Sequence, residues 1–155
     1  MDSLHIVYLG ERWDTSWRRS QQIASRLASL QQVETVHFVE FPLSFSSRVK
    51  VMLRRGDEDA LERWERVRRR GRTWQFDRVR ITTPLCPFPF FRAGPLRTWN
   101  VELAIRSVLG SLGPLRFPAS RGGRLLLWMS TPFWRPFLGR LSEDYLVYDY
   151  MGNFP

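Results

Sequence analysis

The stretch Leu4-His5-Ile6-Val7-Tyr8-Leu9-Gly10-Glu11-Arg12-Trp13-Asp14-Thr15-Ser16-Trp17-Arg18-Arg19-Ser20 decides the fold. Leu4 to Leu9 is an apolar run of strand length. A glycine and a polar turn follow. Beyond the turn, Ile23, Ala24, Leu27, Ala28 and Leu30 fall on one face at helical spacing, with Asp14, Thr15 and Ser16 as candidate N-caps.

The same alternation runs through the chain. Thr35 to Glu40 reads as a second strand, stopped by Pro42. Ala60, Leu61, Trp64 and Val67 form one stripe, which predicts a helix from Asp57 to Arg70. Acids crowd its start and arginines its end, as the helix dipole favours. Arg78 to Thr83 is a third strand, and Pro84, Pro87, Pro89 and Pro95 keep the next loop out of a helix. Val101, Ala104, Ile105, Val108, Leu109 and Leu112 give the cleanest amphipathic helix, ended by Gly113-Pro114. Leu125 to Met129 is a buried-strand run between Gly122-Gly123 and Pro132. A short helix over Pro132–Leu141 and a last strand, Tyr145–Tyr148, complete the series. This succession predicts one α/β domain over residues 1–155, a Rossmann-like, mostly parallel sheet flanked by helices.

The composition narrows the function classes. The chain has 155 residues, 43% hydrophobic and 14% aromatic, which excludes wholesale disorder. No apolar run approaches the roughly 18–20 residues of a membrane span. The N-terminus lacks a signal-peptide pattern. A lone cysteine, Cys86, fits a reducing compartment, and the location expected is cytoplasmic. The net charge is +9, and every basic residue except Lys50 is arginine. Arg48 to Arg80 alone holds twelve basic and six acidic residues. One reading is a coding bias that leaves solvated surface arginines. The other is a preference for anionic partners: phosphorylated ligands, an anionic membrane face or nucleic acid.

In a parallel sheet, ligands bind beyond the carboxyl ends of the strands. The segments to watch are Gly10 to Arg19, Glu40 to Pro42, Thr82 to Pro84, Ser130 to Pro132 and Asp149 to Asn153. The first leads into a helix N-terminus, which favours an anion. Gly10, Arg12, Trp17, Arg18, Arg19 and, from the fourth exit, Thr131 are the candidate phosphate- or substrate-binding residues. Asp149 and Asp14 are the candidate catalytic carboxylates, and each could equally be a cap. Neither a GxGxxG fingerprint, nor a phosphate loop, nor a G-x-S-x-G elbow is present. His5 and His37 lie inside strands and Cys86 on a loop, so no metal site is expected. Phe88, Phe90 and Phe91, beside Arg92, read as a loop folded onto the sheet or as a lipid-facing wedge.

Several segments together resemble a known family. Arg12-Trp13-Asp14 and Trp17-Arg18-Arg19-Ser20-Gln21-Gln22-Ile23-Ala24-Ser25-Arg26-Leu27-Ala28 are followed by Val36-His37-Phe38-Val39-Glu40-Phe41-Pro42. Then come Thr82-Thr83-Pro84-Leu85, Trp99-Asn100, Leu127-Trp128-Met129-Ser130-Thr131-Pro132 and Leu146-Val147-Tyr148-Asp149-Tyr150-Met151-Gly152-Asn153. In this order and spacing they resemble the N-terminal half of GT-B glycosyltransferases of the family-4 type, as found in envelope and exopolysaccharide synthesis. The resemblance implies sugar transfer from a nucleotide-sugar, used as substrate with no further cofactor, to a glycan or polyprenyl-phosphate-linked acceptor held by this half. It also implies a C-terminal donor-binding domain with a Glu-x7-Glu motif, a spacing that no glutamate pair here has. The chain is therefore expected to be an N-terminal domain or a truncated product, inactive by itself. Relatives often carry a further acid after the strand-end aspartate, where this chain has Gly152-Asn153. A lipid acceptor would place the protein on the inner membrane face. The competing expectations are a basic module for nucleic acid or anionic membrane, and an α/β scaffold that pairs with another protein.

Overall fold

A computed structural model of the chain describes residues 3–13, 18–53, 58–88, 97–113 and 123–149. In order these form β1 (Leu4–Leu9), α1 (Arg19–Ala28), β2 (Val33–Val39), β3 (Leu43–Ser44), α2 (Phe45–Met52) and α3 (Glu58–Arg70). Then come β4 (Thr73–Phe76), β5 (Val79–Thr82), β6 (Leu85–Cys86), α4 (Arg97–Leu112), β7 (Arg124–Met129), a 3-10 helix (Pro132–Phe137) and β8 (Tyr145–Tyr148).

Six strands make one sheet in the order β4-β5-β2-β1-β7-β8, and β3 pairs with β6 in a separate two-stranded sheet. Every pair in the main sheet is parallel except β4 with β5. The α/β, Rossmann-like expectation is met. The chain leaves β1 toward β2 on one side and later returns to place β7 on the other. The boundary between β1 and β7 is thus the topological switch point, the place where open α/β sheets bind ligands.

The alternation of side chains divides the core in two. Val7, Leu9, Val39, Leu125, Leu127 and Met129 pack against α4 and the 3-10 helix. Ile6, Tyr8, Val36, Phe38, Val79 and Ile81 pack against Trp13 and the Ala24–Ala28 face of α1. Each fully buried Leu, Ile or Phe contributes about 1.5–3 kcal/mol, so both faces must be covered, and the helices cover them. Phe38, Tyr8 and Trp128 are direct neighbours in register on three adjacent strands. Their rings stack, with centroids 5.2 and 5.7 Å apart.

Several expectations need correction. The α1 N-cap is Arg18, not Asp14, Thr15 or Ser16. Its backbone N–H donates to Oε1 of Gln21 at 2.5 Å, a bond the side chain three residues on supplies. Leu30 lies past the helix and is exposed. On α3 the buried residues are Ala60 and Arg63, whereas Leu61 faces out. The last short helix stops at Phe137 rather than Leu141. Cys86 is buried in β6, not on a loop. Helix α2 and strands β3, β4 and β6 are additions. β4 turns back onto β5 through Asp77-Arg78, with Asp77 left-handed at φ 51°.

Candidate functional site

The hydrogen-bond ladder runs one residue past the strands. Glu40 N–H donates to Thr82 O, Gly10 N–H to Val39 O, Ser130 N–H to Leu9 O and Asp149 N–H to Met129 O, at 2.9 to 3.1 Å. Glu40, Gly10, Ser130 and Asp149 therefore stand in a row along the carboxyl rim. Four of the five expected exit segments contribute a residue to this row, and Thr82, from the fifth, accepts at its end.

Gly10 is there because Phe38 is there. A Cβ on Gly10 would sit in the Phe38 ring, 2.7 Å from Cε2 and 2.9 Å from Cε1. The Gly10 carbonyl accepts from Trp134 Nε1 at 3.0 Å, and Ser130 Oγ donates to Leu9 O at 3.0 Å. These bonds tie the exits of β1 and β7 together at the switch point.

Arg19 opens α1 and Asp149 ends β8, 130 residues apart in sequence. Arg19 Nη2 lies 3.2 Å from Asp149 Oδ1. Beneath them is the Tyr8 phenol. Burial, aided by the Asp149 carboxylate and opposed by Arg19, pushes its pKa above the usual range, so it stays protonated. Thr131 is buried, and its Oγ1 has no hydrogen-bond partner among the described residues; neither has Asp149 Oδ2. Two polar atoms at the ends of adjacent strands β7 and β8 are thus unmatched, a state that costs free energy unless a ligand or water meets them.

The other candidates are placed differently. Arg12 pairs with Asp59 of α3, away from Asp149. Arg18 Nη1 is 3.4 Å from Glu11 Oε2, still in the first exit loop. Asp14 and Trp17 lie outside the described residues, as do Phe90 and Phe91. Phe88 is held by Asn100, whose Oδ1 accepts its N–H at 3.1 Å and whose Nδ2 donates to its carbonyl at 3.0 Å.

Sequence reasoning missed the brace behind the rim. Glu40 is fully buried. Its Oε1 accepts from Trp13 N–H at 2.5 Å and from Arg66 Nη2 at 2.6 Å, and its Oε2 accepts from the Thr83 hydroxyl. Arg66 also donates to the Trp13 carbonyl, and Arg63 to the Phe41 carbonyl. With Asp59 on Arg12, three α3 residues hold the exits of β1 and β2. Part of the arginine excess is therefore structural.

His5 and His37 are buried in strands, as expected. Among the described residues no group of three or more His, Cys, Asp or Glu could hold a metal ion. No helix among them is long and apolar enough to cross a membrane. No family model matches the chain, and no curated protein and no solved structure matches it either.

Proposed function

We propose that the chain is the acceptor-side half of a GT-B-type glycosyltransferase. In this reading it holds a glycan or polyprenyl-phosphate-linked acceptor at the rim, while a second domain presents the nucleotide-sugar. The observation that carries the reading is the Arg19–Asp149 pair at 3.2 Å, beside the switch point and over the buried Tyr8. Arg19 and Arg18, at the N-terminal end of α1, supply positive charge for a phosphate. Asp149 then exchanges its arginine partner for an acceptor hydroxyl and acts as a base or as an orienting acceptor. The unmatched Thr131 hydroxyl provides one more polar contact at the same edge.

Helix α2 supports the lipid-linked side of the reading. Phe45, Val49, Met52 and Leu53 lie at i, i+4, i+7 and i+8 and are all exposed, with Arg48 and Lys50 on the same helix. An apolar stripe flanked by cations suits the surface of an anionic leaflet.

The test is sugar transfer by the complete gene product. It would be incubated with anionic membrane vesicles containing polyprenyl phosphate and a panel of labelled nucleotide-sugars. Expected are label in the lipid fraction and a fall in kcat/KM of about tenfold to hundredfold for Arg19→Ala, the worth of one charge-assisted bond. Absence of transfer from every donor, or wild-type turnover by Arg19→Ala in a folded protein, would overturn the reading.

A further inference from the structure

A second polar site lies at the far end of the sheet from Arg19 and Asp149, on the α4 side near the β4 edge. Register places His37, Arg80, Thr82 and Thr73 on that side. Over β1 and β7, α4 fills the space with Ala104, Ile105, Val108 and Leu112. Toward β5 and β4 it offers Arg106, Ser107, Gly110 and Ser111 instead, and the gap is a pocket of about 330 Å³.

The lining is one-sided in charge. Arg72 and Arg106 flank the pocket, Thr73, Thr82, Thr83, Ser107 and Ser111 line it, and no carboxylate does. The Thr83 and Ser111 hydroxyls already donate, to Glu40 Oε2 and to the Val108 carbonyl, which leaves Ser107 and the Thr73–Thr82 pair as the polar contacts. The Arg72 guanidinium has no ion pair or hydrogen bond among the described residues. Among the described residues Arg106 has only a loose contact, 3.6 Å from Glu102 Oε1, and that carboxylate is already bound by Arg140 Nη2 at 2.6 and 2.8 Å. Inward, the Thr73, Thr82 and His37 side chains form a chain of hydrogen bonds at 3.0 and 2.7 Å. It ends at His37 Nε2; the other ring nitrogen, Nδ1, is buried and has no hydrogen-bond partner among the described residues. A helix packing on a sheet ordinarily buries apolar residues; here a polar, cationic recess takes their place.

We propose that this pocket binds a small phosphomonoester, with Arg72 and Arg106 on the phosphate and the hydroxyls around it. Two guanidiniums match a phosphate dianion better than a single-charged, planar carboxylate, and the Ser107 hydroxyl on α4 faces the Thr73–Thr82 pair across the same recess. The volume is at the small end of ligand pockets and leaves room beyond the phosphate for a compact organic group. The site is independent of the glycosyltransferase reading.

The test is a titration of the ¹⁵N-labelled chain with inorganic phosphate and with glycerol 3-phosphate at constant ionic strength, read by amide shifts. Expected are saturable shifts at Thr73, Thr82, Thr83, Ser107, Gly110 and Ser111, and tighter binding of the ester. The double variant Arg72→Ala/Arg106→Ala should lose at least about tenfold in affinity. Gly110→Leu is a second variant. A Cβ at Gly110 meets nothing within 4 Å, and Leu strengthens a helix relative to Gly. It should block the ester without unfolding the chain, while Arg19→Ala should leave the titration of this pocket unchanged. No saturation up to about 10 mM, well beyond ordinary metabolite affinities, would overturn the proposal. So would shifts confined to Gly10, Arg19, Ser130 and Asp149, or equal shifts with chloride.

Discussion

At the scale of single residues, steric and protonic constraints are the sharpest. Gly10 borders a ring that is itself fully buried and held edge-on by Trp13, with centroids 5.0 Å apart. The ring has nowhere to retreat. Gly10→Ala should therefore cost about 1–3 kcal/mol by overpacking, read as a lower midpoint in urea. Phe38→Leu in the same chain should recover part of the loss. His37 is a second case. Burial, with the Arg80 guanidinium adding to it, lowers its pKa from 6.5 to about 3. The unfolded chain takes up this proton near 6.5, the folded chain only near 3. Stability should thus fall as the pH drops through that window, by up to roughly 1 kcal/mol per pH unit from this group, and level off below it. His37→Gln keeps a partner for Thr82 but cannot titrate. Denaturation at a series of pH values should show its acid slope reduced by one proton.

At the scale of elements, α3 illustrates what a linear pattern can and cannot tell. Its existence and ends follow from periodicity and dipole, and Glu58–Arg70 agrees closely with the expected Asp57–Arg70. Its orientation does not follow. The stripe that predicts the helix does not mark its buried face: Arg63 is buried and Leu61 is not, because the guanidiniums find carbonyls and a carboxylate on the β1 and β2 exits. No spacing rule pairs Glu40 with Arg66. Glu40→Ala should cost about 3–5 kcal/mol, since it strands a nearly buried guanidinium and an amide; chemical denaturation would measure this, and a loss under about 1 kcal/mol would refute the bracing role. Five strands were legible from their apolar and β-branched residues, although β5 and β8 have only four residues each. β4, equally short, lies inside the charged stretch Arg48 to Arg80, where the helical stripe is the pattern that stands out. α2 is hidden by its β-branched Val49 and Val51. It is held locally by Ser44, whose Oγ accepts the Ser47 N–H at 3.2 Å.

At the scale of the whole molecule, topology does what local pattern cannot. Arg19 and Asp149 were expected on a common rim, as residues at the exits of parallel strands. The crossing from β1 to β7 and β8 is what makes them neighbours. The polar pocket under α4 was not foreseen, because it needs the antiparallel turn of β4 to bring Arg72 and Thr73 beside Thr82. The α3 brace has a mechanical consequence. The Trp13 amide is secured by a carboxylate from β2 that is itself held by a helix some fifty residues downstream. Residues Gly10 to Trp13 cannot loosen alone; they and the helix form a single opening unit. Deuterium should enter the Trp13 amide at the rate set by α3, and the exit of β1 would then be as stiff as the helix behind it.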